Sequence, residues 1–153
     1  MGREIPAATG HEKRDRMNAY EAAQLIVWIE TLAPAQRFTP DSPEVWAFAL
    51  DDIRLDDARA ALRSVIRSAD FVTPRAIVEA VAALRAQRLA AVEISLGDVE
   101  ELVCGEDFAL AREEIRALRT LVGDGAMDRA GYEAYIAAGR PVSTARAIGA
   151  GRG

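Results

Sequence analysis

Apolar residues recur along most of the chain at intervals of three and four, with no stretch of strand-like alternation, so the pattern predicts an all-α fold. The first seventeen residues, MGREIPAATGHEKRDRM, mix charges, glycines and a proline without periodicity and read as a disordered arm. A helix is expected from Asn18, whose side chain can cap free amides while Glu21 reaches back, to about Leu32. Ala22, Leu25, Ile26, Ile29 and Leu32 then share one face. Pro34 and Pro40 bound a loop, after which Ser42 and Pro43 supply a cap and a first-turn proline. The helix they open is expected to reach about Ile53, with Val45, Trp46, Ala49, Leu50 and Ile53 as its buried stripe. A third, from about Asp56 to Ala69, aligns Ala58, Leu62, Val65 and Ala69 and sets two carboxylates at its positive end, with Phe71 closing the segment. Thr73 and Pro74 repeat the cap-and-proline signal and start a fourth helix that turns Ile77, Val81, Leu84 and Leu89 inward. Residues 18–91 thus predict a small four-helix bundle.

Beyond Ala91 the charge and texture change, although the helical period persists. Net charge is +1 over residues 1–17, −2 over 18–91 and −4 over 92–153, matching the total of −5. Ser95 and Asp98 resemble a capping box before Val99, Leu102 and Val103, with Gly105 ending that turn. From Asp107 to Val122 the apolar residues Phe108, Ala111, Ile115, Leu118 and Val122 alternate three and four apart, as in a heptad seam. A last helix is expected from Met127 to Ala138, presenting Tyr132, Tyr135 and Ile136. The chain therefore divides into an arm (1–17), a four-helix domain (18–91), a helical C-terminal region (92–138) and a flexible tail (139–153).

Composition narrows the chemistry. A single cysteine, Cys104, excludes an internal disulfide, and a single histidine, His11, leaves too few soft ligands for an ordinary zinc site. His11 lies in the arm, where it cannot be held as a catalytic base, and Glu101 and Glu106 near Cys104 disfavour a thiolate. No glycine-rich loop leads into Lys and Ser or Thr as phosphate binding by a nucleotide hydrolase loop requires. No apolar run is long enough to span a membrane and the N-terminus is polar, so a cytoplasmic protein with no cofactor, no metal and no enzymatic centre is expected. Glu100 and Glu101 with Glu113 and Glu114 are the candidates for a carboxylate-metal nucleotide hydrolase, set against a solvated helix surface carrying local ion pairs.

Two surfaces suggest binding instead. Arg59, Arg63 and Arg67 recur every four residues, and Arg85 and Arg88 follow on the next helix, forming a possible nucleic-acid face in a DNA-binding initiator or transcription factor. The acidic net charge weighs against that reading. The 108–122 stripe can complete the protein's own core or dock on a partner.

From Trp46 to Ile77 the order is distinctive: Trp46 and Leu50 in one helix, then Asp56, Asp57, Ala58, Ala61 and Leu62, then Phe71, Thr73, Pro74 and Ile77. That order, over about residues 18–90, resembles the N-terminal helical domain of phage helicase-loader and inhibitor proteins. Packing gives it a physical basis, since Trp46 and Phe71 can anchor a small core while alanines let helices approach closely. The resemblance implies a non-enzymatic phage or prophage replication accessory protein that binds a hexameric replicative helicase, loads or restrains it, and contacts an origin-binding replication protein. On this reading Phe108, Ile115, Leu118 and Val122 form the helicase-binding face.

Overall fold

The structure, a computed structural model, describes residues 17–102 and 108–139. Most of the expected arm and tail, together with His11, Val103, Cys104 and Gly105, therefore lies outside the described residues. The fold is all-α, and the described residues form seven helices and no strand. None of these helices is long and apolar enough to cross a membrane. The chain divides into two compact units, Met1–Ala82 and Ala83–Gly153. The charge-based boundary after Ala91 thus falls nine residues beyond the structural division.

In the N-terminal unit, α1 (Ala19–Leu32) opens with the expected capping box: the Glu21 amide donates to Asn18 Oδ1 at 2.9 Å, and the Asn18 amide to Glu21 Oε2 at 3.1 Å. Met17, expected in the arm, is instead buried in this unit's core. Ala22, Leu25, Ile26 and Ile29 turn inward as expected, whereas Leu32 is half exposed at the helix end, on the wall of an open groove.

Helix α2 (Ser42–Ala49) is shorter than expected. Ser42 does not cap it; its hydroxyl accepts from the Thr39 amide at 2.9 Å and so serves the preceding turn. The helix stops at Leu50, and a tight turn closed by the Ile53 amide on the Leu50 carbonyl still brings Ile53 into the core. Trp46 is buried with its ring edge-on to Phe38 at 5.5 Å, while Val45 and Ala49 point outward. Helix α3 (Leu55–Ser68) buries Asp57, Ala58, Ala61, Leu62 and Val65; the two alanines keep that face shallow, and Ala69 lies outside. Helices α2 and α3 both pack on α1.

Phe71 is not the expected anchor. The Gln36 side chain brackets Val72, accepting from its amide at 2.8 Å and donating to its carbonyl at 2.6 Å. This amide clasp pins Val72 in the core, while Phe71 precedes it in a bend. Phe71 is 57% exposed. Helix α4 (Pro74–Val92) begins as expected, with the Ala76 amide donating to the Thr73 hydroxyl at 3.1 Å and with Ile77 and Val81 buried. Leu84 is only half-buried.

The C-terminal unit contains the end of α4, α5 (Leu96–Leu102), α6 (Phe108–Gly123) and α7 (Arg129–Ala138), with α5 packed on α6 and α7. Its core is Val92, Val99, Ala111, Leu118, Val122 and Tyr132, flanked by Leu89, Ile115, Tyr135 and Ile136. After α6 the amides of Ala126 and Met127 both donate to the Leu121 carbonyl. Gly125 takes φ 72°, a conformation that costs glycine little, and a side chain there would also meet the Arg88 guanidinium. Asp128 caps α7 by accepting from the Gly131 amide at 2.8 Å.

Candidate functional site

The heptad stripe expected to bind a partner belongs mostly to the interior. Leu118 and Val122 are fully buried, Ile115 is half-buried against the same cluster, and Phe108 alone stays outside, 70% exposed. Period alone could not separate a core stripe from a docking stripe, and here α5 and α7 supply the apolar partners. Phe108, Ile115, Leu118 and Val122 therefore do not make one accessible helicase-binding face.

The carboxylate pairs are also redistributed. Glu113 is exposed, but Glu114 is fully buried and accepts a hydrogen bond from the Tyr135 hydroxyl of α7. It is a satisfied interior polar group rather than part of a solvated surface. Glu100 and Glu101 lie elsewhere, on α5, and among the described residues no group of three or more His, Cys, Asp or Glu is placed to hold a metal ion. A half-buried bond set joins α5 to α7: the Ser95 amide donates to the Tyr132 hydroxyl at 3.1 Å, and that hydroxyl donates to Asp98 Oδ2 at 3.4 Å. The Asp98 amide in turn donates to the Ser95 hydroxyl, the half of the expected capping box that forms.

Burial raises the Tyr132 hydroxyl above its ordinary value, and the adjacent Asp98 carboxylate adds to the effect. A phenol that keeps its proton longer in the folded state than in the unfolded state stabilises the fold below its unfolded titration. That stability is lost as the pH rises past about 10. Urea denaturation between pH 8 and 11 is expected to show stability falling above about pH 10, with a shallower fall in Tyr132→Phe.

The five arginines are divided between the two units. Arg59, Arg63 and Arg67 are exposed along α3, where the Arg59 guanidinium lies 3.4 Å from the centroid of the Trp28 ring, a cation–π contact. With Arg63, Trp28, Leu32 and Asp56 it lines an open groove of about 410 Å³. Arg85 and Arg88 belong to the C-terminal unit and are engaged there. Arg85 lies 3.6 Å from Asp124, and Arg88 donates to the Gly123 carbonyl at 2.8 Å.

Two further features are prominent. On α2 the outward residues Val45 and Phe48, three apart and so on one side of the helix, are 60% and 86% exposed. Exposed Glu44, Asp51 and Asp52 frame this ridge. Within the C-terminal unit, the last part of α4 and helix α6 enclose a groove of about 770 Å³. Arg112, Arg116, Arg119 and Arg85 line it, with Leu89 and Ile115 as apolar lining. The arginine spacing on α6, four and then three, was visible in the sequence and is close to the interval of four that drew attention to Arg59, Arg63 and Arg67. It was masked by Glu113 and Glu114, which suggested local neutralisation. The outward turn of Phe48 was less legible, because only the burial of Trp46 and Leu50 fixes which side of α2 faces in. Comparison with protein-family models, curated proteins and solved structures found no match for the chain.

Proposed function

We propose that the protein is a non-enzymatic phage or prophage replication accessory protein, acting in the cytoplasm, that binds a hexameric replicative helicase through the exposed ridge of α2. The observation that carries the binding surface is Phe48, a large apolar side chain left 86% exposed beside Val45. Clustered exposed apolar residues with a polar rim are the usual form of a protein-binding surface. The acidic frame of Glu44, Asp51 and Asp52 favours a partner with a basic border around an apolar pocket. The choice of a helicase rests on the resemblance over residues 18–90. Most of the apolar residues carrying that resemblance, including Trp46, Leu50, Ala58, Leu62 and Ile77, build the core that presents α2. An origin-binding replication protein is a second partner on the same reading.

The reading is tested by mixing the purified protein with purified bacterial and phage hexameric helicases and measuring mass by size exclusion with light scattering. A stoichiometric complex with one of them is expected; a protein that elutes alone beside every helicase contradicts the reading.

The alternative of DNA binding draws support from the exposed Arg59, Arg63 and Arg67 on α3. If these three neutralise phosphates, duplex affinity falls with salt at a logarithmic slope of about −2.7.

A further inference from the structure

We propose that the arginine groove of the C-terminal unit binds a nucleoside polyphosphate. Arg112, Arg116 and Arg119 seat the phosphates, and Leu89 and Ile115 take the flat face of the base.

The first ground is electrostatic. The unit is acidic overall: residues 92–153 carry −4, and the rest of the unit adds only Arg85 and Arg88. Three guanidiniums nevertheless line one concavity on α6, at positions i, i+4 and i+7. Like charges at these spacings weaken a helix unless something neutralises them. Two of the nearby described acids are directed elsewhere. Glu114 is drawn inside to Tyr135, and Asp124 is matched by Arg85. Glu113, three residues from Arg116, forms no ion pair with it, and among the described residues no acid lies within ion-pair distance of Arg112, Arg116 or Arg119. The groove thus concentrates positive charge that the described residues leave without ion-pair partners.

The second ground is shape and chemistry. From Arg112 to Arg119 the helix rises about 10 Å, a reach that suits a chain of phosphates better than one isolated carboxylate. Guanidinium forks match phosphate oxygens in pairs, which makes arginine well suited to such groups. The volume falls within the range of small-molecule sites, and Leu89 and Ile115 provide the apolar surface that a base requires. Single-stranded nucleic acid is less well served, because stacking of successive bases calls for aromatic side chains and none lines the groove. The proposal is independent of helicase binding, since it concerns the other unit and different residues.

The test is isothermal titration of the full chain in low-salt buffer with ATP, pyrophosphate, adenosine and a fifteen-residue oligothymidylate. The variants are Arg116→Gln, the double variant Arg112→Gln/Arg119→Gln and, as a control on the other unit, Arg63→Gln. All four arginines are exposed, and circular dichroism verifies that each variant keeps its helices. ATP is expected to bind saturably, pyrophosphate more weakly and adenosine not measurably. Arg116→Gln should weaken ATP by about tenfold or more, and Arg63→Gln should leave it unchanged. The proposal is overturned if ATP fails to saturate in the millimolar range, or if neither α6 variant alters its binding. It is also overturned if the oligonucleotide binds through these arginines and ATP does not displace it.

Discussion

Replacing Leu118 by aspartate is expected to unfold the C-terminal unit. Leu118 is fully buried among Val99, Ala111, Val122 and Tyr132. Removing a buried leucine costs about 2–5 kcal/mol through the forfeited transfer energy and the cavity left behind. An unpaired carboxylate in the same place adds several more, by ionising in a poorly solvating interior or by taking up a proton to avoid it. Together these reach the whole stability of an ordinary domain, about 5–15 kcal/mol. Both tryptophans, Trp28 and Trp46, lie in the N-terminal unit, so their emission reports on that unit alone. Far-ultraviolet circular dichroism of Leu118→Asp should lose a large part of the helical signal while the tryptophan emission stays close to wild type. A variant with undiminished helicity would restore the 108–122 stripe as a surface.

Trp46→Ala is expected to cost the N-terminal unit about 3–5 kcal/mol, whereas Phe71→Ala should stay within about 0.5 kcal/mol of wild type. Trp46 is buried and meets Phe38 edge-on, an arrangement favourable beyond the area it hides. At about 4–8 °C per kcal/mol for a unit of this size, its loss lowers the thermal midpoint by more than about 10 °C. Phe71 stands beside Val72, the residue that the Gln36 clasp holds inward, and its own ring is mostly in solvent. Thermal unfolding of the two variants followed at 222 nm checks the contrast. A Phe71→Ala protein as destabilised as Trp46→Ala would mean that both aromatics anchor the core.

That contrast marks what the sequence could convey. Helix starts were legible where the signal is local: Asn18 with Glu21 and Thr73 before Pro74 form the bonds their spacing suggests, and Ser95 three residues before Asp98 forms half of its capping box. The inward face of α1 followed from period alone, apart from Leu32 at its open end. Some failures were local, as where the Ser42 hydroxyl serves Thr39 instead of capping α2, and others depended on partners far along the chain. Phe71 stays outside while its neighbour Val72 is held inward by Gln36, thirty-six residues from Val72. Glu114 falls between Ala111 and Leu118 on the buried side of α6, and the distant Tyr135 hydroxyl makes a carboxylate tolerable there. The early end of α2 likewise reflects a turn whose reward is the burial of Ile53.

The same long-range packing moved the candidate surfaces. The stripe with the most regular period became core, while Val45 and Phe48 on α2 and the arginines of α6 were left exposed. In the N-terminal unit the ridge of α2 is the surface on which the proposed function depends. It owes its orientation to Trp46 and Leu50, which hold the opposite side of the helix against the core.

The most direct test is the affinity of Phe48→Asp for the helicase that the wild-type protein binds, measured by titration alongside a circular dichroism spectrum of the variant. Phe48 is exposed, so the variant should keep its fold. Putting a charge where a central apolar side chain meets the partner weakens association by at least about thirtyfold. A folded Phe48→Asp protein that binds the helicase as tightly as wild type would contradict the account.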